Sequence, residues 1–100
     1  EDLIEGIGLC CKKENAINQT FNLTYGEGRK VNELVDILKI SFPKTKVIYK
    51  KKEKFMPERG TLLIDKAKDL LGYSPNYRIE KGYLKYIDWY KSFWNNLNEK

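Results

Sequence analysis

The sequence predicts an α/β fold whose elements follow the order α-β-α-β-α-α. Apolar residues recur at helical spacing in four segments. Two short runs, Thr20 to Thr24 and Lys46 to Lys50, have the apolar or alternating pattern of strands. Gly26, Gly28 and Pro43 separate these segments as turn residues do. We therefore expect a small two-stranded sheet, or two separate strands, flanked by helices within a single domain of residues 1–100.

The first half of the chain predicts a helix, a strand and a second helix. Residues 2 to about 13 form an amphipathic helix with apolar positions at Leu3, Ile4, Ile7, Cys10 and Cys11. This helix begins at residue 1 without a capping signal, so we expect sequence to precede it. After the strand, a second helix ends before Pro43. Its apolar stripe comprises Val31, Leu34, Val35, Leu38 and Phe42.

The second half predicts a strand followed by two helices. A charged loop, residues 50–60, follows the second strand. Asp65 is the expected N-cap of a short helix over residues 66–71, and Gly72 takes the C′ position after it. The last helix runs to about Trp94 and carries an apolar stripe of Ile79, Tyr83, Leu84, Ile87, Tyr90 and Trp94.

Composition excludes several classes of function. With no histidine in the chain, Ser-His-Asp catalysis, Cys-His catalysis and the usual zinc sites are excluded, so we expect no metal. The adjacent cysteines Cys10 and Cys11 cannot bridge each other without strain, which indicates free thiols. There is no apolar run of about 18 residues and no leader segment. We therefore expect a cytoplasmic protein with no membrane partner.

The segment FNLTYGEGRKVNELVDIL, residues 21–38, resembles the start of a dinucleotide-binding unit. That fingerprint needs three glycines, but Val31 occupies the third position after Gly26 and Gly28. An acidic residue is expected about 20 residues later, where this chain is basic. A basic strand end suits the phosphate of NADP, which leaves that alternative open. The favoured interpretation is that the glycines supply positive φ at a turn.

Four stretches, in this order, are similar to the late part of NAD-dependent nucleotide-sugar epimerases and dehydratases, the extended short-chain dehydrogenase/reductase family. EDLIEGIGLC resembles the D-L-V-E-A helix of that family. FNLTYGEGRKVNEL resembles its F-N-I-G-x-G strand and turn with the N-E-L that follows. RGTLLIDKAKDLLGYSP resembles R-x-x-x-D-I-S-K-A-x-x-L-G-W-x-P, and IEKGYLKYIDWY resembles the terminal helix. The resemblance covers nearly the whole chain.

The resemblance implies that this chain is the C-terminal, substrate-binding portion of a Rossmann-type enzyme that uses NAD. In the family, the cofactor fingerprint and the catalytic Tyr-x-x-x-Lys pair lie in the first two-thirds of the enzyme. We therefore expect no catalytic residue and no bound cofactor in this chain. The implied partners are a nucleotide-sugar, the missing Rossmann domain and, for the intact enzyme, a second copy. The strand Thr20 to Thr24 would then join the sheet of the cofactor domain.

The resemblance also points to substrate-binding residues in the segment FMPERG, residues 55–60. Arg59 offers a planar, bidentate fork that suits a diphosphate. Its alternative is a surface arginine paired with Glu58 or Asp65. Phe55 and Met56 pack on a base or ribose, or simply cover the edge of the sheet. Three departures limit the comparison: Thr24 replaces a glycine, Leu63 an aspartate, and Met56 an arginine of close relatives.

Two surface features have alternative interpretations. Six lysines between residues 44 and 54, together with Tyr49, suit a free-standing basic module that binds nucleic acid. We favour a solvated edge strand instead, because the lysines flank one strand rather than gathering from several elements. Tyr86 and Trp89 lie off the core stripe of the last helix. We hypothesise that they contact the missing domain or a partner subunit, which requires Trp89 to be exposed.

Overall fold

The structure is a computed structural model that describes residues 1–57 and 59–98. Over these residues, all regular secondary structure is helical. The α-helices are α1 (Asp2–Lys12), α2 (Val31–Ser41), α3 (Asp65–Leu71) and α4 (Ile79–Asn98). A single 3-10 turn, Glu14–Ala16, follows α1. The chain divides into two compact units, each of which is described here by itself.

Unit 1 comprises Glu1–Gly28 together with the described residues from Arg59 to Arg78. Its core is a cluster of buried residues on and beside α3: Ile64, Ala67, Leu71 and Tyr73. The first three recur at helical spacing, which directs the apolar stripe of the short helix inward. Partly buried residues of α1 and of the segment that follows it pack against this cluster: Leu9, Cys10, Ala16, Phe21 and Leu23. A helix of only seven residues is therefore held by tertiary packing.

Unit 2 comprises Arg29–Pro57 and the described residues from Ile79 onward. It is built on the contact between α2 and α4, which bury Ile37 and Ile87. At the start of α2, the backbone N–H of Lys30 donates to the Glu33 carboxylate at 2.6 Å. The Arg29 guanidinium binds Glu33 and also Glu80 in the first turn of α4. One arginine thus joins the N-terminal ends of both helices, where carboxylates are favourable.

The predicted α/β fold class is wrong. Neither Thr20 to Thr24 nor Lys46 to Lys50 forms a strand, and the described part of the chain contains none. A strand needs the ladder hydrogen bonds of a neighbouring strand, and a two-stranded sheet is marginal even when both strands are present. The first segment instead packs Phe21 and Leu23 on the α3 cluster. The apolar and alternating patterns predicted strands at two segments that form no regular secondary structure, because such a pattern cannot supply a pairing partner.

The helices agree more closely with the sequence. The predicted starts of α1, α2 and α4 are confirmed, and α2 ends before Pro43 as expected. Gly72 has φ 70° at the end of α3, which confirms its predicted role. The N-cap prediction is wrong, because Ile64 is the capping residue and Asp65 already belongs to the helix. The last helix continues beyond Trp94 to Asn98.

The longest helix, α4, has 20 residues and is interrupted by charges throughout its length. These charged residues are Glu80, Lys81, Lys85, Asp88 and Lys91. Within residues 1–57 and 59–98, none of the helices has both the length and the apolar character that crossing a bilayer requires.

Candidate functional site

The Gly-x-Gly turn of unit 1 lies against the segment that leads into α3. Gly26 has φ 82°, and its N–H donates to the Thr24 hydroxyl at 3.1 Å. A Cβ at Gly26 would lie 2.8 Å from Cδ1 of the buried Ile64, and one at Gly28 would overlap the Thr61 hydroxyl. Gly26 is therefore favoured both by its backbone angle and by the close approach of Ile64, whereas at Gly28 a side chain would have to displace only the Thr61 hydroxyl.

A side-chain hydrogen bond joins the same two segments. The Asn22 amide donates from Nδ2 to the backbone carbonyl of Leu63 at 3.1 Å. This bond spans 41 residues of sequence and provides a partner for the backbone carbonyl of residue 63. The Leu63 side chain itself is exposed, so residue 63 contributes to the fold through its carbonyl. Every residue has a backbone carbonyl, so this bond does not depend on which side chain stands at position 63.

The turn does not fit a dinucleotide. In a cofactor loop, the glycines leave room for a pyrophosphate beside the backbone. Here the space beside Gly26 and Gly28 is filled by Ile64 and Thr61 of the same chain. Glu27 lies between the two glycines, so the turn carries a negative charge. Arg78 donates from Nη2 to both oxygens of the Glu27 carboxylate, at 2.9 and 3.0 Å. Packing therefore explains this motif without a ligand.

Asp2, in the first turn of α1, is a structural residue that the sequence analysis missed. Its Oδ1 accepts from the backbone N–H of Asn76 at 3.0 Å, and its Oδ2 accepts from that of Tyr77 at 2.8 Å. These bonds hold the segment between α3 and α4 against the start of α1. The carboxylate caps another segment, across more than 70 residues of sequence, rather than its own helix. No spacing rule signals a bond over that separation.

The three predicted substrate-binding residues lie at the surface of the two units. Arg59 belongs to unit 1 and is exposed, while Phe55 and Met56 belong to unit 2 and are exposed as well. Among residues 1–57 and 59–98, Arg59 has no ion pair with Asp65 or with any other side chain. The other predicted partner, Glu58, lies outside the described residues. The Arg59 guanidinium is therefore open to a ligand on the described surface.

One Tyr-x-x-x-Lys spacing does occur in the chain, at Tyr77 and Lys81, although the resemblance places the catalytic pair of the family outside this portion. Tyr77 precedes α4, which begins at Ile79, and its backbone is held by Asp2. Lys81 lies in the first turn and a half of the helix. Residues four apart share a face only when both are helical, and Tyr77 is not. The match is therefore one of sequence spacing, with only Lys81 inside a helix.

Tyr73 is the one tyrosine in the buried core of unit 1. Burial raises the pKa of its phenol, and the carboxylates of Asp2 and Glu5 raise it further. Tyr73 therefore stays neutral at physiological pH and acts as a core residue. Across the described residues, no three cysteine and carboxylate side chains lie close enough together to hold a metal ion.

The exposed side of α4 carries a row of stacked aromatic rings. Successive ring centroids are 6.4 Å apart for Tyr83 and Tyr86, 5.7 Å for Tyr86 and Trp89, and 5.4 Å for Trp89 and Phe93. Trp89 is exposed, as the hypothesis of a contact surface requires. At these separations the rings are offset from one another, and Tyr86, Trp89 and Phe93 each keep about half of their surface exposed.

Comparisons of the chain with protein-family models, with curated proteins and with solved structures gave no match.

Proposed function

We propose that this chain is the nucleotide-sugar-binding portion of a cytoplasmic, NAD-dependent epimerase or dehydratase. In this proposal, a separate cofactor-binding domain holds NAD and the catalytic groups, and the intact enzyme forms a homodimer. The whole enzyme oxidises a sugar carbon by hydride transfer to NAD. It then epimerises the sugar or eliminates water and returns the hydride. The residues described above do not fit NAD, so this chain's part is to bind the substrate.

The observation that carries this proposal is the joining of two family-like segments in unit 1. Asn22, of the F-N-x-x-x-G segment, donates to Leu63 of the R-x-x-x-x-I segment. Gly26 and Gly28 make room for Ile64 and Thr61 of that second segment. Two residues that match the family, Gly26 and Ile64, therefore lie against each other, and a third, Asn22, binds the backbone of the second segment. A chance resemblance would not be expected to place its matching positions against one another.

Arg59 is the residue to which the proposal assigns the diphosphate. It stands at the start of the segment that Asn22 and the two glycines hold, so its backbone has a supported position. Its exposed guanidinium can donate two parallel hydrogen bonds to phosphate oxygens. Lysine would supply the charge without that fork. Phe55 and Met56 are assigned to the base or the ribose through apolar contact.

The test is a two-dimensional amide NMR titration of the chain with UDP-, dTDP- and GDP-sugars. We expect shifts concentrated in residues 56–61 with one nucleotide, which would also identify the nucleoside. Arg59→Ala should weaken binding at least about tenfold, and Arg59→Lys should restore only part of it. Lys39→Ala, which removes one exposed charge from α2, is the matched control and should bind normally.

The same titration with a short single-stranded RNA examines the alternative function. Shifts with RNA along residues 46–54, and none with any nucleotide-sugar, would reject the substrate-binding proposal in favour of a nucleic-acid module. Absence of any shift around Arg59 with all three nucleotide-sugars would reject it as well. Equal affinities of wild type and Arg59→Ala would remove Arg59 from the site.

A further inference from the structure

The positive charge of the protein is concentrated in one segment of unit 2, residues 44–56, here called the basic segment. It holds six lysines against one glutamate, a net charge of +5 that equals the net charge of the whole chain. The remainder has 13 of the 19 basic and 13 of the 14 acidic residues and is neutral. All six lysines are exposed. An anionic surface would therefore meet its main attraction at this segment.

Large apolar side chains lie exposed between the lysines. Ile48 is 83% exposed and Tyr49 is 74% exposed, directly before the run Lys50 to Lys52. The Met56 N–H donates to the Glu53 carbonyl at 3.1 Å and closes a four-residue turn. Phe55 lies at the tip of that turn, beside Lys54, and is 92% exposed. Apolar groups thus project from both ends of the lysine run.

We propose that the basic segment binds the surface of an anionic phospholipid bilayer. Its lysines would contact headgroup phosphates and carboxylates while Ile48, Tyr49 and Phe55 enter the headgroup boundary. Lysine suits this role because its apolar stem can extend beside buried groups while the ammonium stays in water. The proposal departs from the expectation that the protein has no membrane partner. That expectation rested on the lack of an apolar run long enough to span a bilayer, and surface binding needs no such run.

Nucleic acid is the competing anionic partner, and the side chains of the segment favour lipid. Single-stranded nucleic acid is held by aromatic stacking, which Ile48 cannot provide. Residues 44–56 contain no arginine, asparagine or glutamine, the side chains with two groups in a fixed fork that fits a base edge. Hydrocarbon accepts isoleucine, tyrosine and phenylalanine alike. The mixture of exposed aliphatic and aromatic groups among lysines is therefore explained better by a bilayer.

The test is sedimentation of the whole chain with phosphatidylcholine vesicles that contain or lack roughly one-third phosphatidylserine. Binding is expected only to the anionic vesicles, and it should weaken as salt is raised. The triple variant K50Q/K51Q/K54Q should bind about a hundredfold more weakly, since each lysine near the surface is worth about fivefold. The matched control K12Q/K13Q/K39Q removes the same charge from exposed helical and adjacent positions and should retain most of the affinity.

A second variant, I48S/Y49S, tests apolar insertion while it spares Phe55, Met56 and Arg59, which the proposed substrate site uses. It should bind anionic vesicles at least about tenfold more weakly while its lysines remain. Circular dichroism should show unchanged helicity, because both residues are exposed and outside the helices. Failure to bind anionic vesicles, wild-type binding by I48S/Y49S, or tighter binding to single-stranded RNA would each overturn the proposal. The two vesicle results leave the substrate-binding proposal unaffected, and RNA binding bears on that proposal only if no nucleotide-sugar binds.

Discussion

The long connections between helices differ in their contacts between the two units of this protein. In unit 1, polar side chains fasten the connections to backbone atoms: Asn22 binds the Leu63 carbonyl, and Asp2 binds the N–H groups of Asn76 and Tyr77. In unit 2, the connection after α2 carries exposed lysines with exposed Ile48, Tyr49 and Phe55 between them.

The bonded connections of unit 1 are suited to a structural role, and the exposed connection of unit 2 is suited to binding. A connection held by specific bonds and packed on a core resists local opening. When a partner covers exposed large apolar groups, the free energy falls. Exposed lysines favour a partner of negative charge. The contacts of Asn22 and Gly26 with residues 63 and 64 of unit 1 thus support the backbone near Arg59, while the basic segment of unit 2 exposes its side chains.

The largest effect is expected from the core of unit 1. Leu71→Ala should lower the free energy of unfolding by about 3 kcal/mol, because Leu71 is 1% exposed and its truncation leaves a cavity. Leu63→Ala is the matched control: that side chain is 71% exposed, and its loss should cost less than about 0.5 kcal/mol. Urea unfolding followed by circular dichroism measures both variants.

Amide hydrogen exchange then sharpens the comparison between the units. In Leu71→Ala, the amides of α3 should lose protection more than those of α2 and α4, since the two helices of unit 2 pack on each other. Equal loss of protection in all the helices would show that both units open together. The two units would then differ in their exposed side chains and not in their local stability.

A smaller effect is expected at the Gly-x-Gly turn. Gly26→Ala should destabilise the protein by about 2 kcal/mol, because a Cβ there combines positive φ with contact at 2.8 Å from Ile64. Gly72→Ala isolates the backbone cost, since Gly72 has φ 70° with open space around its would-be Cβ, and should cost about 1 kcal/mol. Gly8→Ala, in open space on α1, should stabilise by about 0.5 kcal/mol.

Chemical denaturation of the three glycine variants measures the order of their free energies of unfolding. If Gly26→Ala costs no more than Gly72→Ala, then residues 61–64 do not approach the turn closely. The Asn22 to Leu63 contact, and with it the support for Arg59, would lose its basis.

The smallest effect is expected from pH. The pKa of Tyr73 is raised by burial, and further by Asp2 and Glu5, so the folded state keeps a proton that the unfolded chain loses above about pH 10. Stability from this group is fully present below that pH and is lost as pH rises through the folded-state pKa. Tyr73→Phe should therefore flatten the fall in stability between about pH 9 and pH 11.

Tyr49→Phe is the control for this pH prediction, because Tyr49 is exposed on the basic segment. Thermal melts of both variants over that alkaline range make the comparison. If Tyr73→Phe loses as much stability as the wild type over that range, then groups other than Tyr73 cause the loss.

Local sequence determined the helices of this protein. Apolar spacing along α1, α2 and α4, the stop before Pro43 and the glycine after Leu71 are local signals, because a helix bonds to itself within four residues. The charge of the basic segment was equally visible from the order of residues. Arg59, Phe55 and Met56 were selected by resemblance, and their exposure leaves them available for the proposed role.

Only the tertiary structure decided the conformation and contacts of the segments that the sequence predicted to be strands. Phe21 to Leu23 had the pattern of a strand, but strand formation depends on a neighbour that may lie anywhere in the chain. Here Asn22 meets Leu63 and Asp2 meets Asn76, bonds between residues 41 and 74 positions apart. The glycines of the turn serve this chain's own Ile64 and Thr61 rather than a phosphate. Such contacts arise when the chain folds onto itself, so no local pattern of residues specifies them.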